Sequence, residues 1–154
     1  MSISTIGIIG GGQLGSLLSE AAKSLSIETV ILTDDINAPA KNFTENFISG
    51  NYEDENLINE FIDKVDLVTF EFENIPYKIL KNINNLKPVL PNPEINKLIQ
   101  NRYTEKDFLN KIGIRTTQYN LIKNKDEIKF NENLIPGILK TCTLGYDGKG
   151  QFKI

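Results

Sequence analysis

The stretch Gly10-Gly11-Gly12-Gln13-Leu14-Gly15 stands between a β-rich run, ISTIGII (3–9), and a segment whose apolar residues recur at helical spacing: Leu14, Leu17, Leu18, Ala21, Ala22 and Leu25. A strand, a glycine turn and a helix in that order open a parallel α/β sheet, because a parallel neighbour is reached only through a crossover. The pattern repeats downstream. Residues 28–33 (ETVILT) read as a second strand, DDINAPA as a turn, and 46–49 as a further short strand. Residues 52–65 place Leu57, Ile58, Phe61, Ile62 and Val65 on one helical face, with acids in the first turn where the helix dipole favours them. A strand at 66–72 (DLVTFEF), a short helix at 77–82 and a strand at 87–90 (KPVL) continue the alternation.

Two more helix starts follow. Asn92-Pro93 supplies a cap and a proline at the first helical position, ahead of Ile95, Leu98 and Ile99. Thr104 with Asp107 is expected to cap a helix through Phe108, Leu109 and Ile112, which Gly113 can end. From about Arg115 the chain turns to short apolar runs among Asn and Lys, ending in the β-prone ILKT at 138–141. The expectation is an α/β, Rossmann-like domain with a parallel sheet over 1–114, then the start of an incomplete second unit over 115–154.

Composition narrows what such a chain can do. Lys+Arg 17 against Asp+Glu 20, with no uniformly basic run, gives a nucleic-acid backbone nothing to bind. The apolar run at the N-terminus is broken by glycines and has no basic flank, so neither a signal peptide nor a spanning helix is expected. The single cysteine, Cys142, cannot form an internal disulfide and fits a reducing compartment, the cytoplasm. Histidine is absent, so acid–base and anion-binding work falls to carboxylates, lysine, arginine and backbone amides.

Gly10–Gly15 is formally G-x-G-x-x-G in the right context, and its literal reading is a dinucleotide site, with Asp34 or Asp35 holding ribose hydroxyls. The bland reading is a strand-to-helix turn of any α/β domain. A third is a different phosphate or sugar ligand, hydrogen-bonded by Gln13 at the loop's tip. In FEFENIP (70–76), Glu71 and Glu73 share one strand face at the carboxyl end of a parallel strand, where open α/β sheets bind ligands; Phe70 and Phe72 share the other and read as core. The second glycine loop, TCTLGYDGKG (141–150), brings Gly145, Gly148 and Gly150 together with Lys140 and Lys149, a set that can turn amides and cations toward phosphate but lacks Walker spacing. A hairpin with a lysine at its tip is an equal reading of those residues alone.

Taken in order, GGGQLG, the DxNAPA turn, FEFENIP, NR(x3)K at 101–106 and K(x4)GYDGKGQ at 140–151 resemble the N-terminal portion of the 5-(carboxyamino)imidazole ribonucleotide synthase family, ATP-grasp ligases of purine biosynthesis. The resemblance implies a pre-ATP-grasp domain followed by the beginning of an ATP-grasp domain. It implies an ATP- and bicarbonate-dependent carboxylation of aminoimidazole ribonucleotide, with Mg²⁺ accompanying ATP. By the same resemblance Gln13, Leu14, Glu71, Glu73 and Asn74 would contact the ribonucleotide, joined by Tyr146 and Asp147. Arg102, Lys140 and the lid Gly145, Tyr146, Asp147, Gly148, Lys149, Gly150 and Gln151 would meet ATP. The acidic metal ligands of the family are expected beyond residue 154, so the chain is expected to be a fragment, inactive alone and homodimeric when whole. Two rivals stand beside it: a nicotinamide-dependent oxidoreductase module built on the first loop, and a non-catalytic nucleotide-sensing module.

Overall fold

A computed structural model describes residues 3–145 and 148–154. The chain folds as two compact units, Met1–Asn96 and Lys97–Ile154. The composition shift near Ile114 therefore lies inside the second unit.

The first unit is a four-stranded parallel sheet of β1 (Thr5–Ile9), β2 (Glu28–Thr33), β3 (Asn46–Ser49) and β4 (Leu67–Phe70), in the order β3-β2-β1-β4. Register sets Ile8 beside Ile31 and Ile9 between Leu32 and Phe70. Alternation along β1 sends successive isoleucines to opposite faces. Ile9 joins Val30, Leu32, Phe61, Val68, Leu80 and Ile83 in the larger core, under helices α2 (Glu55–Asp63) and α3 (Tyr77–Asn84). Ile8 and Ile31 join Ala40 in a smaller one. Burying such a side chain contributes roughly 1.5–3 kcal/mol, so the larger cluster carries most of this unit's stability. Asp54 caps α2 by accepting from the N–H groups of Asn56 and Leu57, at 2.9 and 3.4 Å.

Helix α1 (Gln13–Ser24) departs from expectation. Its buried residues are Gly15, Ser16 and Ser19, whereas Leu14, Leu17 and Leu18 are 56, 52 and 43% exposed. The apolar spacing indicates the helix correctly and its buried side wrongly. The physical reason is close approach: at Gly15 a Cβ would lie 2.8 Å from the carbonyl oxygen of Gly10, so only small residues fit the packed face.

Residues 87–90 do not form a strand. Val89 makes one isolated parallel bridge to Val68, with the Val68 and Leu90 amides donating at 2.9 Å to the carbonyls of Pro88 and Val68. Helix α4 (Pro93–Ile99) begins as expected, with the Asn92 side chain accepting from the Glu94 amide at 2.9 Å.

In the second unit, helix α5 (Arg102–Lys111) starts earlier than the Thr104 reading. Its cap is Asn101, which accepts from the amides of Tyr103 and Thr104, while the Thr104 hydroxyl donates to the carbonyls of Leu98 and Asn101. Both residue types cap well; the one preceding the first helical turn takes the position. Gly113, at φ +83°, follows the helix end as a C-terminal glycine should. A 3₁₀ stretch (Lys125–Leu134) leads to an antiparallel pair, β5 (Ile138–Lys140) and β6 (Gln151–Lys153). Every buried hydrophobic side chain among the described residues lies between Ile8 and Val89, so the described part of the second unit has elements without a core.

Candidate functional site

The first glycine loop joins the carboxyl end of β1 to α1. Gly10 adopts φ +109°, a conformation that favours glycine. A Cβ there would also lie 2.6 Å from Oε1 of Glu71. Glu71 follows β4, and its own amide continues the sheet pairing by donating to the carbonyl of Ile9 at 3.2 Å. Its side chain turns over the loop, where Oε1 accepts the main-chain N–H of Gly12 at 3.0 Å. First-turn amides of a helix have no partner inside the helix and attract anions. At α1 the protein supplies that anion itself.

The consequence bears on the dinucleotide reading. A bound pyrophosphate would lie at the α1 N-terminus, close to the Glu71 carboxylate. Two unit charges about 4 Å apart repel by roughly 4 kcal/mol at an effective dielectric near 20. The loop geometry expected for a nucleotide site is present, but Glu71 occupies the amide that such a phosphate would use.

The carboxyl end of β2 completes this corner. Asp35 closes its own turn: its carboxylate accepts the Asn37 amide at 2.8 Å and its amide donates to Thr33 Oγ1 at 3.2 Å. Asp34 stays exposed. Beside it lies Tyr52, nearly buried, which sequence reasoning took only for the start of α2. Burial, then the neighbouring charge of Asp34, pushes the Tyr52 phenol up to about 12, against the opposing effect of hydrogen bonds with the Asp34 backbone and the Thr33 hydroxyl; the Glu71 charge adds a smaller upward push. The phenol is therefore neutral throughout the physiological range and able to hydrogen-bond without adding charge. No signal in the sequence brings Tyr52 to this corner, because its placement depends on how the segment after β3 folds back across β2.

Gln13 is exposed at the first position of α1, with Leu14 next to it. Phe70 and Phe72 pack against the larger core, as read. Glu73 does not share the position of Glu71: its carboxylate accepts from the side-chain Nδ2 of Asn74 at 3.4 Å, beyond the end of β4. The structure thus gathers Gln13, Leu14 and Glu71 at the loop and gives the two glutamates different positions and partners.

The second glycine loop is described within its own unit. The Thr141 amide donates to the Gly150 carbonyl at 2.8 Å, extending the β5–β6 ladder into the turn, and Gly148 and Gly150 take positive φ. Arg102, at the start of α5, donates its main-chain N–H to the Cys142 carbonyl at 2.8 Å and its guanidinium to the Gly145 carbonyl. It braces the loop's first arm. Lys140 and Gln151 face each other across the ladder, and the Lys140 side chain is exposed, with no hydrogen bond or ion pair among the described residues. Lys149 is exposed. Tyr146 and Asp147 lie outside the described residues. Among the described residues no group of three or more His, Cys, Asp or Glu side chains could hold a metal ion, and no helix is long and apolar enough to cross a membrane.

Fold and loop geometry together define a class. Residues 3–100 match the family model of the ribonucleotide synthetase pre-ATP-grasp domain, and the chain belongs to that family. More particularly, it is a homologue of N5-carboxyaminoimidazole ribonucleotide synthase over that enzyme's N-terminal region. The Brucella melitensis synthase is 39% identical over 153 residues, a match spanning 98% of this chain and 42% of that protein. The solved Staphylococcus aureus N5-carboxyaminoimidazole synthetase, complexed with ADP, superposes with a TM-score of 0.90 at 34% identity, over 98% of this chain and 41% of that one. The Aspergillus clavatus synthase, in complex with ADP and 5-aminoimidazole ribonucleotide, superposes with a TM-score of 0.82 at 28% identity, over 97% of this chain and 40% of that one. The chain spans about two fifths of the length of these relatives.

Proposed function

We propose that the chain is the ribonucleotide-binding portion of an ATP-grasp ligase that carboxylates aminoimidazole ribonucleotide in purine biosynthesis. The observation that carries this reading is the Glu71–Gly12 hydrogen bond. A carboxylate that fills the helix N-terminus turns a phosphate-attracting loop into one that accepts hydrogen-bond donors, such as ribose hydroxyls or an exocyclic amine. Gln13 adds an amide able to donate and accept beside it. Glu73 and Asn74 shape the same end of the sheet. The complex of the Aspergillus clavatus relative with ADP and aminoimidazole ribonucleotide supports this choice of ligand.

The second loop is assigned to the phosphates of ATP, with Lys140 and Lys149 as the cations, Gly145, Gly148, Gly150 and Gln151 as the covering turn, and Arg102 holding its first arm. In the complete ligase, bicarbonate attacks the γ-phosphorus of ATP, giving carboxyphosphate and ADP. The substrate amine then takes the carboxyl carbon, releasing phosphate and a proton. Carboxyphosphate decomposes in water, so a closing turn that excludes solvent has a chemical purpose. The described residues do not fit a Mg²⁺ site. On this reading the protein works in the cytoplasm, and the chain comprises a pre-ATP-grasp domain over 1–114 and the opening of an ATP-grasp domain over 115–154. The homodimer belongs to the whole enzyme.

Calorimetry with aminoimidazole ribonucleotide tests the assignment. Glu71→Ala should weaken binding more than Glu73→Ala; equal losses would remove Glu71 from the role.

A further inference from the structure

Helix α4 turns an asparagine inward. Its buried residues are Pro93 and Asn96, whereas Ile95, which the apolar spacing would place inside, is 48% exposed. Asn96 is fully buried, and its Nδ2 donates to the main-chain carbonyl of Ile75 at 3.0 Å. Its Oδ1 has no hydrogen-bond partner among the described residues. An asparagine here is unfavourable on three counts: it is a weaker helix former than leucine, its amide loses water on burial, and its oxygen stays unpaired. What it does that an apolar side chain of similar size cannot do is hold the Ile75 carbonyl.

Ile75 closes a turn. Its amide donates to the Phe72 carbonyl at 3.3 Å, which makes Glu73 and Asn74 the two central residues of the turn 72–75. The Ile75 side chain is buried in the larger core, and Phe72 packs against that core from the other end of the turn. With side chain, N–H and carbonyl all engaged, Ile75 is fixed in orientation, and the central pair with it. Asn96 and the turn belong to the same compact unit.

We propose that Asn96 is a positioning residue for the ribonucleotide site: its buried carboxamide holds the turn 72–75 in the geometry that presents Glu73 and Asn74 to the ligand. Being fully buried, it does not touch the ligand and acts through the Ile75 carbonyl. The assignment rests on the proposed ribonucleotide reading, and the two fail separately, because the turn can be followed with no ligand present.

The test is Asn96→Leu in the isotopically labelled chain. The variant removes the donor and the unpaired oxygen together, so its urea midpoint should be unchanged or higher. Without ligand, the amide signals of Glu73, Asn74 and Ile75 should move or broaden while that of Gly12 stays in place. Calorimetry should show aminoimidazole ribonucleotide bound about fivefold more weakly, the equivalent of one ordinary hydrogen bond. A purely structural asparagine would lower the midpoint and leave the affinity of the folded variant alone. A second measurement uses the unmodified chain and does not depend on the variant folding: saturating ribonucleotide should shift the Asn96 side-chain NH₂ pair, remote from the ligand as it is. Unmoved signals at 73–75, unchanged affinity in the folded variant, or an Asn96 NH₂ pair indifferent to bound ribonucleotide would each overturn the proposal. If the unmodified chain binds no ribonucleotide, the ligand reading falls, and the ligand-free signals at 73–75 still decide whether Asn96 holds the turn.

Discussion

Glu71 and Gly12, 59 residues apart, are joined by a 3.0 Å hydrogen bond from the Gly12 amide to the Glu71 carboxylate. The acid at the end of β4 thereby completes the N-terminus of α1, which has neither a side-chain cap nor an acidic residue in its first turn. Removing the carboxylate should return the loop to its phosphate-attracting form. In Glu71→Ala, millimolar inorganic phosphate should shift the Gly12 amide resonance, and stability should fall by about 1 kcal/mol. Glu71→Gln keeps an acceptor and should show a smaller loss. An equal phosphate response in the unmodified chain would contradict the account.

Helix α1 is held by its small residues. Gly15→Ala forces a methyl group to within 2.8 Å of the Gly10 carbonyl oxygen and should cost roughly 1–3 kcal/mol, read by urea denaturation. Leu17→Lys, on the exposed side, should change stability by no more than about 0.5 kcal/mol. The reverse ranking would mean that the leucines, not the glycine, face the core.

Asp66 ties the chain's start to β4, accepting from the Ser4 and Thr5 amides at 2.9 and 3.1 Å and from the Ser4 hydroxyl at 3.0 Å. The two amide hydrogen bonds come first among the causes that hold its carboxyl below the ordinary carboxylate value. A carboxyl depressed in the folded state contributes stability above its unfolded pKa, about 3.9, and loses it as pH falls through the folded value. Asp66→Asn should therefore be less stable than the parent at neutral pH, with the gap closing in strong acid. A gap constant across an acid titration would remove the charge from the explanation.

Tyr52 should ionise late. Its phenol is pushed up to about 12, so it favours the folded state fully below its unfolded pKa of about 10, and that contribution is lost as pH rises through 12. Ultraviolet titration should resolve a late tyrosinate step in the folded chain, absent in Tyr52→Phe. Persistence of that step in the variant would assign it elsewhere.

The parallel sheet was legible because strand runs and glycine turns alternate at short range, and β2 and β3 fall on the residues that the sequence singles out. The buried side of α1 was not, since periodicity reports an apolar stripe without saying whether anything lies against it; here a close approach at Gly15 decided the packing. The α5 cap was misread by three residues because Asn101 and Thr104 are both good caps, and only the backbone path chooses between them. The two carboxylates of FEFEN look equivalent in a strand pattern. They separate because the strand ends at Phe70 and Glu71 folds back to Gly12. Tyr52 was missed altogether, its place at the carboxyl end of β2 being a tertiary fact with no local trace.

The most direct measurement is a pair of titrations of the isotopically labelled chain, one with aminoimidazole ribonucleotide and one with NADH, followed at the amides of Gly12, Gln13 and Glu71. Saturable shifts at those three amides with the ribonucleotide, and none with NADH, are the predicted result. Shifts there with NADH, or none with the ribonucleotide, would contradict a loop whose anion site is already filled by its own glutamate.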